Sequence, residues 1–468
     1  MDSKQAYQLE HENIPKLLMH YTIPAVVGTM VNALYNIVDR IFIGQGVGEF
    51  AISGLALTFP ILIFLQAFGM LIGAGASARV SILLGQHDRD GAERILGNAI
   101  VLTIITQVLT IIPCLVFMEP LLRLFGASER TLPYAYDYLK YIIPANIFAS
   151  LSFGYNAIMR ASGYPRKAMI TMLIGAVTNT LLDALFIFVF KWGIDGAAIA
   201  TVISMFISAV YVMSHFFSKS SIIRFRRSNL RLSWEQICAI ISIGVAPFSI
   251  QLLGSAVNII INRSFVAYAG SEVMADRAIG AYGIVNSYVT LIVMIILGVA
   301  QGMQPVVGYN YGAMQIKRVI KAFKICAIVN VSVSTLGMIL ALLIPYFLSN
   351  MFTTSVMMTE VSGNAMRLCL WGFFCVGFQI TSTQFFQSTG YAGKAMVLSL
   401  SRQVIFLIPL ILILPKMWQL EGVWLSMPIS DVLSGVMAIV MITAQLKYLN
   451  SFPDASDLRE EELMKEGI

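Results

Sequence analysis

Long apolar runs separated by short polar stretches recur along the whole 468-residue chain. A helix needs about 20 apolar residues to cross the hydrocarbon core of a bilayer. Runs of that length lie near 17–43, 52–78, 95–117, 132–158, 168–190, 196–217, 236–266, 279–308, 319–348, 358–386, 396–415 and 422–446. The pattern predicts an all-α integral membrane protein with twelve transmembrane helices. Interior prolines such as Pro24 and Pro247 are tolerated in membrane bundles, where neighbouring helices satisfy the freed carbonyl groups.

The composition excludes several other classes of protein. Hydrophobic residues make up 57% of the chain and charged residues 12%, whereas a soluble domain carries about 25% charged residues. The net charge is +6, but the basic residues lie between apolar runs rather than in a patch with aromatic residues, so no nucleic-acid partner is expected. Five cysteines inside apolar runs have neither metal-ligand nor disulfide spacing, and no cofactor is predicted.

The loops between the predicted helices differ sharply in basic residues. One alternating set of loops carries sixteen Lys and Arg residues and the other set carries five. Because cytoplasmic loops are enriched in Lys and Arg, both termini are expected in the cytoplasm of a bacterial cell, with the chain in its inner membrane. The polar, mixed-charge amino terminus lacks the pattern of a signal peptide, so the first apolar run is expected to be retained.

The two halves of the chain repeat each other. The segment SGYPRKAM at 162–169 recurs as TGYAGKAM at 389–396, an offset of 227 positions, and the same offset relates Gly75 to Gly302 and Gly85 to Gly312. Six spans per half give both copies the same orientation, so two parallel six-helix repeats are expected to enclose a cavity. The predicted domains are an amino-terminal lobe (1–218), a basic cytoplasmic linker (219–235), a carboxy-terminal lobe (236–449) and a polar cytoplasmic tail (450–468).

Two acidic residues fall inside apolar helices, Asp39 in the first and Asp183 in the fifth. An ionisable group in mid-membrane costs at least about 2.5–3.5 kcal/mol, so each is a candidate functional residue. Asn179 lies one turn before Asp183 on the same helical face, and the oxygen atoms of the pair can converge on one small ion. The alternative is a structural ion pair, for Asp39 with Arg40 or Arg263.

The repeat strengthens the functional interpretation of these acids. At the matched positions of the second half, the three candidate residues are replaced by Asn262, Phe406 and Leu410. The scaffold therefore does not require the carboxylates. A cation site in the first lobe, for H⁺ or Na⁺, follows as the hypothesis.

Further polar residues interrupt the apolar runs. Arg402, near the start of the eleventh helix, either extends to the cytoplasmic face or lines a cavity. Amide side chains on apolar helices either hold helices together or line a path. The substrate cavity is predicted to involve Tyr35, Asn36, Arg40, Arg263, Gln301 and Gln304.

Several segments of the chain resemble the multidrug and toxic compound extrusion (MATE) family. The resemblance covers nearly the whole chain and rests on VDRIFIG at 38–44, the glycines from 73 to 85, ASGYP at 161–165, the Asn179-x3-Asp183 pair and residues 298–305. It implies a MATE-type fold and a cation site formed by Asp39, Asn179, Asp183 and, by resemblance alone, Thr201. Of the acids in the second lobe, only Asp431 is expected inside a span.

The expected function is secondary active export of small amphipathic, often cationic, organic molecules in exchange for H⁺ or Na⁺. The protein is expected to act as a monomer in the bilayer. One alternative is a flippase of lipid-linked saccharides, which would need a cationic cavity built from Arg40, Arg263 and Arg402. An enzyme is disfavoured because the four histidines are scattered at the terminus and span edges.

Overall fold

The computed structural model describes residues 4–353 and 355–455, almost entirely as helices. A short helix, Lys4–His11, precedes the first membrane span. The first nine spans are Ile14–Gly46, Glu49–Gly85, Arg89–Val116, Leu132–Ala161, Pro165–Val189, Gly193–Phe217, Trp234–Tyr268, Glu272–Gly312 and Ile316–Leu343. The tenth span consists of Val356–Cys369 and Phe374–Ser388, which meet at a bend of 60°.

The last helical stretch, Ala392–Leu449, contains two spans. Its 58 residues would extend about 87 Å at 1.5 Å per residue, almost three times the ~30 Å hydrocarbon core. The backbone leaves helical geometry at Trp418 and Gln419, where the φ angle of Gln419 is 47°. The stretch therefore divides into an eleventh span at 392–417 and a twelfth at 420–449, and the described residues contain the predicted twelve spans.

Helix boundaries in the two halves repeat at the offset seen in the sequence. The third span, Arg89–Val116, and the ninth, Ile316–Leu343, begin and end 227 positions apart. Each is followed by a short helix, Met118–Leu124 in the first half and Pro345–Asn350 in the second, whose first residues share that offset. The internal repeat therefore extends from the sequence to the architecture.

The two lobes meet through glycines on the second and seventh spans. A Cβ atom at Gly75 would overlap the carbonyl oxygen of Ile240, and one at Gly244 would overlap that of Leu71. Only glycine allows main chains to approach this closely. These contacts lie toward the basic-loop end, defined as the end that carries the loops 86–88, 162–164, 218–233, 313–315 and 389–391.

The first and eighth spans form a second close contact between the lobes. A Cβ atom at Gly298 would meet the backbone of Val26, and one at Gly302 would meet that of Thr22. The two glycines are four residues apart, so both face the same neighbour. The lobes are thus closed against each other toward the basic-loop end.

The segment joining the lobes is held against the third span. Glu93, whose side chain is 0% exposed, pairs with Arg226 at 2.8 Å and with Arg89 at 3.4 Å. Asn98 accepts a hydrogen bond of 2.8 Å from the backbone N–H of Ser233 through Oδ1. The basic segment predicted as a linker is therefore packed onto the first lobe over 224–233.

Candidate cation site and lobe cavities

The first, fifth and sixth spans bring together the four residues predicted for the cation site. The carboxyl groups of Asp39 and Asp183 are close neighbours that interact electrostatically. The amide Nδ2 of Asn179 donates a hydrogen bond of 3.2 Å to Oγ1 of Thr201. The two helical turns that hold Asn179 and Asp183 are adjacent, as the four-residue spacing requires. The four side chains form one cluster, which we call the acid cluster.

Oxygen atoms without donors dominate the acid cluster. Asp183 is 0% exposed and Asn179 is 1% exposed. Within the described part of the chain, Oδ1 of Asp39, Oδ1 of Asn179 and both carboxyl oxygens of Asp183 have no hydrogen-bond donor. Buried polar atoms are nearly always partnered. An acceptor-rich, donor-poor cluster is chemically suited to a proton or a small hard cation.

The described residues provide no basic ion-pair partner for either acid. Arg40 acts electrostatically on Asp39 but forms no ion pair with it, and its guanidinium lies over the ring of Phe59, 4.6 Å from the centroid. Arg263 lies on the seventh span and is exposed. The geometry therefore does not favour the structural ion pairs considered for Asp39.

Two tyrosines border the acid cluster. Tyr35 lies one turn before Asp39 and is an electrostatic neighbour of both acids. Tyr138, on the fourth span, lies near Thr201 and is also an electrostatic neighbour of both acids. Tyr138 was not predicted, because it stands in an aromatic-rich stretch, YAYDYLKY at 134–141, that gives it no distinguishing mark.

The helix carrying Asp183 changes its hydrogen-bonding pattern immediately after the acid. Residues Ala184–Val189 form a π-helical segment. A second π-helical segment, Ser401–Leu407, includes Arg402 in the eleventh span. Such segments are rare and often occur at functional sites. In both lobes, the irregular helix adjoins a charged residue inside the membrane.

A cavity of about 280 Å³ lies inside the first lobe next to the acid cluster. Tyr35 lines this cavity and is also an electrostatic neighbour of both acids, so it lies between the cavity and the acid cluster. Polar side chains in the wall include Asn32, Gln66, Ser150, Asn156, Arg160, Thr171 and Ser208. The cavity extends toward the basic-loop end, where Arg160 lies on the last turn of the fourth span.

The second lobe contains a cavity of about 310 Å³. Arg402 lines it and forms an ion pair with Asp431, with 2.6 Å between Nε and Oδ1. Asn258 also lines this cavity and accepts a 2.8 Å hydrogen bond from the hydroxyl of Tyr282. Of the two alternatives considered for Arg402, the structure supports cavity lining.

The other residues predicted for a substrate cavity lie elsewhere. Gln304 donates a 2.8 Å hydrogen bond to the hydroxyl of Ser77 and so joins the eighth span to the second. Gln301 is partly exposed, and Gln301, Arg40 and Arg263 are not in the walls of these two cavities. The side chain of Asn36 lies outside the described part of the structure.

Two repeated six-span lobes, each with its own cavity, define a membrane transporter built by internal duplication. The sequence profile of the MatE family matches residues 24–185 and 247–413, one stretch in each half. The chain belongs to the MatE family, which is a family of transporters and not of enzymes. The two matched stretches begin at the repeat-related prolines Pro24 and Pro247.

Curated relatives match the chain over nearly its full length. The multidrug export protein MepA of Staphylococcus aureus strain MRSA252 is 28% identical over 445 residues, covering 94% of this chain and 96% of the relative. MepA of Staphylococcus saprophyticus is 26% identical over 444 residues, covering the same shares. The chain is therefore a multi-pass membrane protein similar to bacterial MepA.

Solved structures share the fold. The outward-facing conformation of a multidrug resistance MATE family transporter matches with a TM-score of 0.89 at 21% identity, covering 97% of this chain and 100% of that one. A MOP superfamily transporter from Pyrococcus furiosus matches with a TM-score of 0.88 at 22% identity over the same shares. These structures support the MATE-type architecture.

Proposed function

We propose that this protein is a secondary active exporter of small amphipathic, often cationic, organic molecules in exchange for H⁺ or Na⁺. The observation that carries this proposal is the acid cluster, in which two membrane-embedded carboxyl groups face each other without a basic partner among the described residues. An arrangement this costly requires a compensating ligand. The exchanged cation is that ligand.

The repeat supports a role in coupling rather than in folding. The positions matched to Asp39 and Asp183 in the second lobe hold Asn262 and Leu410. A lobe with the same helix plan therefore folds without the carboxylates. Two carboxylates, an amide oxygen and a hydroxyl can bind Na⁺, and two close carboxyl groups can also share a proton because their like charges oppose double ionisation.

Alternating access would follow from the lobe arrangement. The glycine contacts close the lobes toward the basic-loop end, which the positive-inside rule assigns to the cytoplasm of a bacterial inner membrane. Cation binding at the acid cluster lowers the affinity of the cavity for substrate and favours release to the outside. A cation can shift this equilibrium only through different affinities for the two states.

The relatives guide the choice of substrate class. The two MepA proteins are named as multidrug exporters, and the cavities here combine apolar walls with amide and hydroxyl groups. A flippase for a pyrophosphate-linked saccharide is less well supported, because Arg402 is the only one of its three predicted arginines in a described cavity wall and it is paired with Asp431. We expect small organic partners and a monomeric transporter.

Drug susceptibility of an exporter-deficient bacterial host tests the proposal. Expression of the natural chain is expected to raise the inhibitory concentration of cationic dyes, whereas Asp39→Asn and Asp183→Asn abolish the increase at equal membrane abundance. Asp276→Asn, which removes an exposed acid at the start of the eighth span, serves as the matched control and is expected to retain protection. Full protection by both cluster variants would refute the coupling role.

Proteoliposomes identify the exchanged ion. Dye efflux is measured with an imposed pH gradient at constant Na⁺ and with an imposed Na⁺ gradient at constant pH. Exchange of one monovalent cation for another moves no net charge, so the concentration gradient of the coupling ion has to drive it. If only one of the two gradients drives efflux, and Asp183→Asn abolishes that efflux, the ion of that gradient is the coupling ion. Efflux driven by neither gradient would contradict antiport.

A further inference from the structure

A buried arginine lies at the basic-loop end of the first-lobe cavity. Arg160, near the end of the fourth span, belongs to the cavity wall and is 6% exposed. Its Nη1 donates a hydrogen bond of 3.0 Å to Oδ1 of Asn156. Nδ2 of Asn156 in turn donates a 2.6 Å hydrogen bond to the carbonyl oxygen of Ala168, which fixes the orientation of the amide. The guanidinium is therefore positioned rather than loosely extended.

The charge of Arg160 is not neutralised by the described part of the protein. No described carboxylate forms an ion pair with it, and its one described side-chain hydrogen bond goes to a neutral amide. The acid cluster does not compensate this charge either, since neither Asp39 nor Asp183 is among the groups that act electrostatically on Arg160. Buried charges in proteins are normally paired.

The scaffold does not require a cation at this position. The residue matched to Arg160 at the offset of 227 is Gln387, which is equally buried in the second lobe. Side-chain extension to the lipid headgroups does not explain Arg160 either, because such an arginine keeps its charged group in water. The charge faces a polar cavity instead.

We propose that Arg160 binds a monovalent anion, a halide ion or a carboxylate group, in the first-lobe cavity. A guanidinium carries five N–H donors in a planar fork, and Asn156 uses one of them. The remaining donors suit a carboxylate in a bidentate arrangement or a single chloride ion. The anion would come either from the medium or from an anionic group on a transported molecule. This inference is independent of the proposed export activity.

Anion-dependent stabilisation of the purified full-length protein tests the site. The midpoint of thermal unfolding is measured from low to high sodium chloride and, separately, sodium acetate, for the natural chain, Arg160→Gln and Arg130→Gln. Arg160→Gln introduces the residue that the second lobe uses, and Arg130→Gln removes an equal charge from an exposed loop. Ligand binding to the folded state is expected to raise the midpoint by about 2 °C or more in the natural chain and in Arg130→Gln.

The same rise in Arg160→Gln, or no rise in the natural chain, would overturn the proposal. A response to chloride alone identifies a halide site, and a larger response to acetate identifies a carboxylate site. If Arg160→Gln does not fold, Arg160→Lys provides the comparison. Lysine keeps the charge but lacks the planar fork of donors. If the site binds a carboxylate, the rise in midpoint with acetate is expected to fall at least threefold relative to the rise with chloride. If it binds a halide, both rises are expected to shrink. Unchanged responses would contradict the role of Arg160.

Discussion

Arg402 and Asp431 form an ion pair of 2.6 Å inside the second-lobe cavity. The matched positions in the first lobe are Gly175 and Ser204, which also line a cavity. The two lobes therefore place a charged pair and a pair of small residues at equivalent points of one scaffold. The acid cluster of the first lobe has no basic ion-pair partner among the described residues, whereas Asp431 in the second lobe is paired with an arginine.

The charged pair predicts strongly coupled effects on stability. Asp431→Ser, which leaves Arg402 without its partner, is expected to cost about 3 kcal/mol because the remaining charge is poorly solvated. The double variant Arg402→Ala with Asp431→Ser approximates the first lobe and is expected to recover more than half of that loss. Thermal and denaturant unfolding of the purified protein measure both values. A double variant at least as unstable as Asp431→Ser would show that the pair itself contributes net stability.

Adding one methyl group at the glycine contact between the lobes is expected to loosen that contact locally. Gly244→Ala would force the new Cβ against the carbonyl oxygen of Leu71, so the lobes have to separate locally. Faster hydrogen–deuterium exchange over residues 71–85 is the expected result. Gly283→Ala is the control, because nothing lies within 4 Å of its added Cβ, and it should leave exchange unchanged or reduce it through its helix propensity.

Glu93 is expected to hold the linker against the third span, so its substitution should release that segment. Glu93→Gln removes the charge that pairs with Arg226 and Arg89, so trypsin cleavage between residues 219 and 231 is expected to accelerate about tenfold, the equivalent of ~1.4 kcal/mol. Asp90→Asn removes an exposed acid that also contacts Arg226 at 3.3 Å. Exposed pairs contribute little, so this control should be cleaved at the natural rate. Equal cleavage of the two variants would contradict the anchoring role of Glu93.

Tyr138, one of the two tyrosines that border the acid cluster, provides a test of its surroundings. Tyr138→Phe removes the hydroxyl that faces Thr201. Loss of a hydroxyl that can hydrogen-bond at the cluster, with a contribution of about 0.5–1.5 kcal/mol, should weaken the apparent affinity for the coupling cation roughly two- to tenfold while folding is retained. Ion-concentration dependence of dye efflux in proteoliposomes measures the change. Tyr136→Phe, on an exposed position of the same span, should show the natural affinity, and a similar shift in both variants would exclude a specific effect.

Most of the architecture was predictable because the bilayer restricts the chain to long apolar helices. The twelve spans were predicted, including the pair separated by the break at Trp418 and Gln419. The 60° bend in the tenth span was not predicted, although Gly372 lies at the break, because a single glycine in an apolar run is also common in continuous membrane helices. Helix boundaries also differ by several residues, because helices extend beyond the apolar core into the loops.

The sequence predicted that one site contains Asp39, Asn179, Asp183 and Thr201. It predicted only some of the residues that line the cavities. An acid in an apolar run carries its own energetic signal, and the repeat showed that the fold does not need it. An amide such as Gln304 carries no comparable signal, because helix contact and cavity lining use the same residue types. The position of Arg160 in a cavity wall was not predicted, because a basic residue at the end of a span also fits the positive-inside pattern.

The glycine contacts close one end of the protein through bare main chain, at Gly75, Gly244, Gly298 and Gly302. A contact of this kind requires no particular side chain on either lobe. Close approach at these four positions depends on the absence of a side chain, so residues of the cavity walls can change in evolution without disturbing this contact.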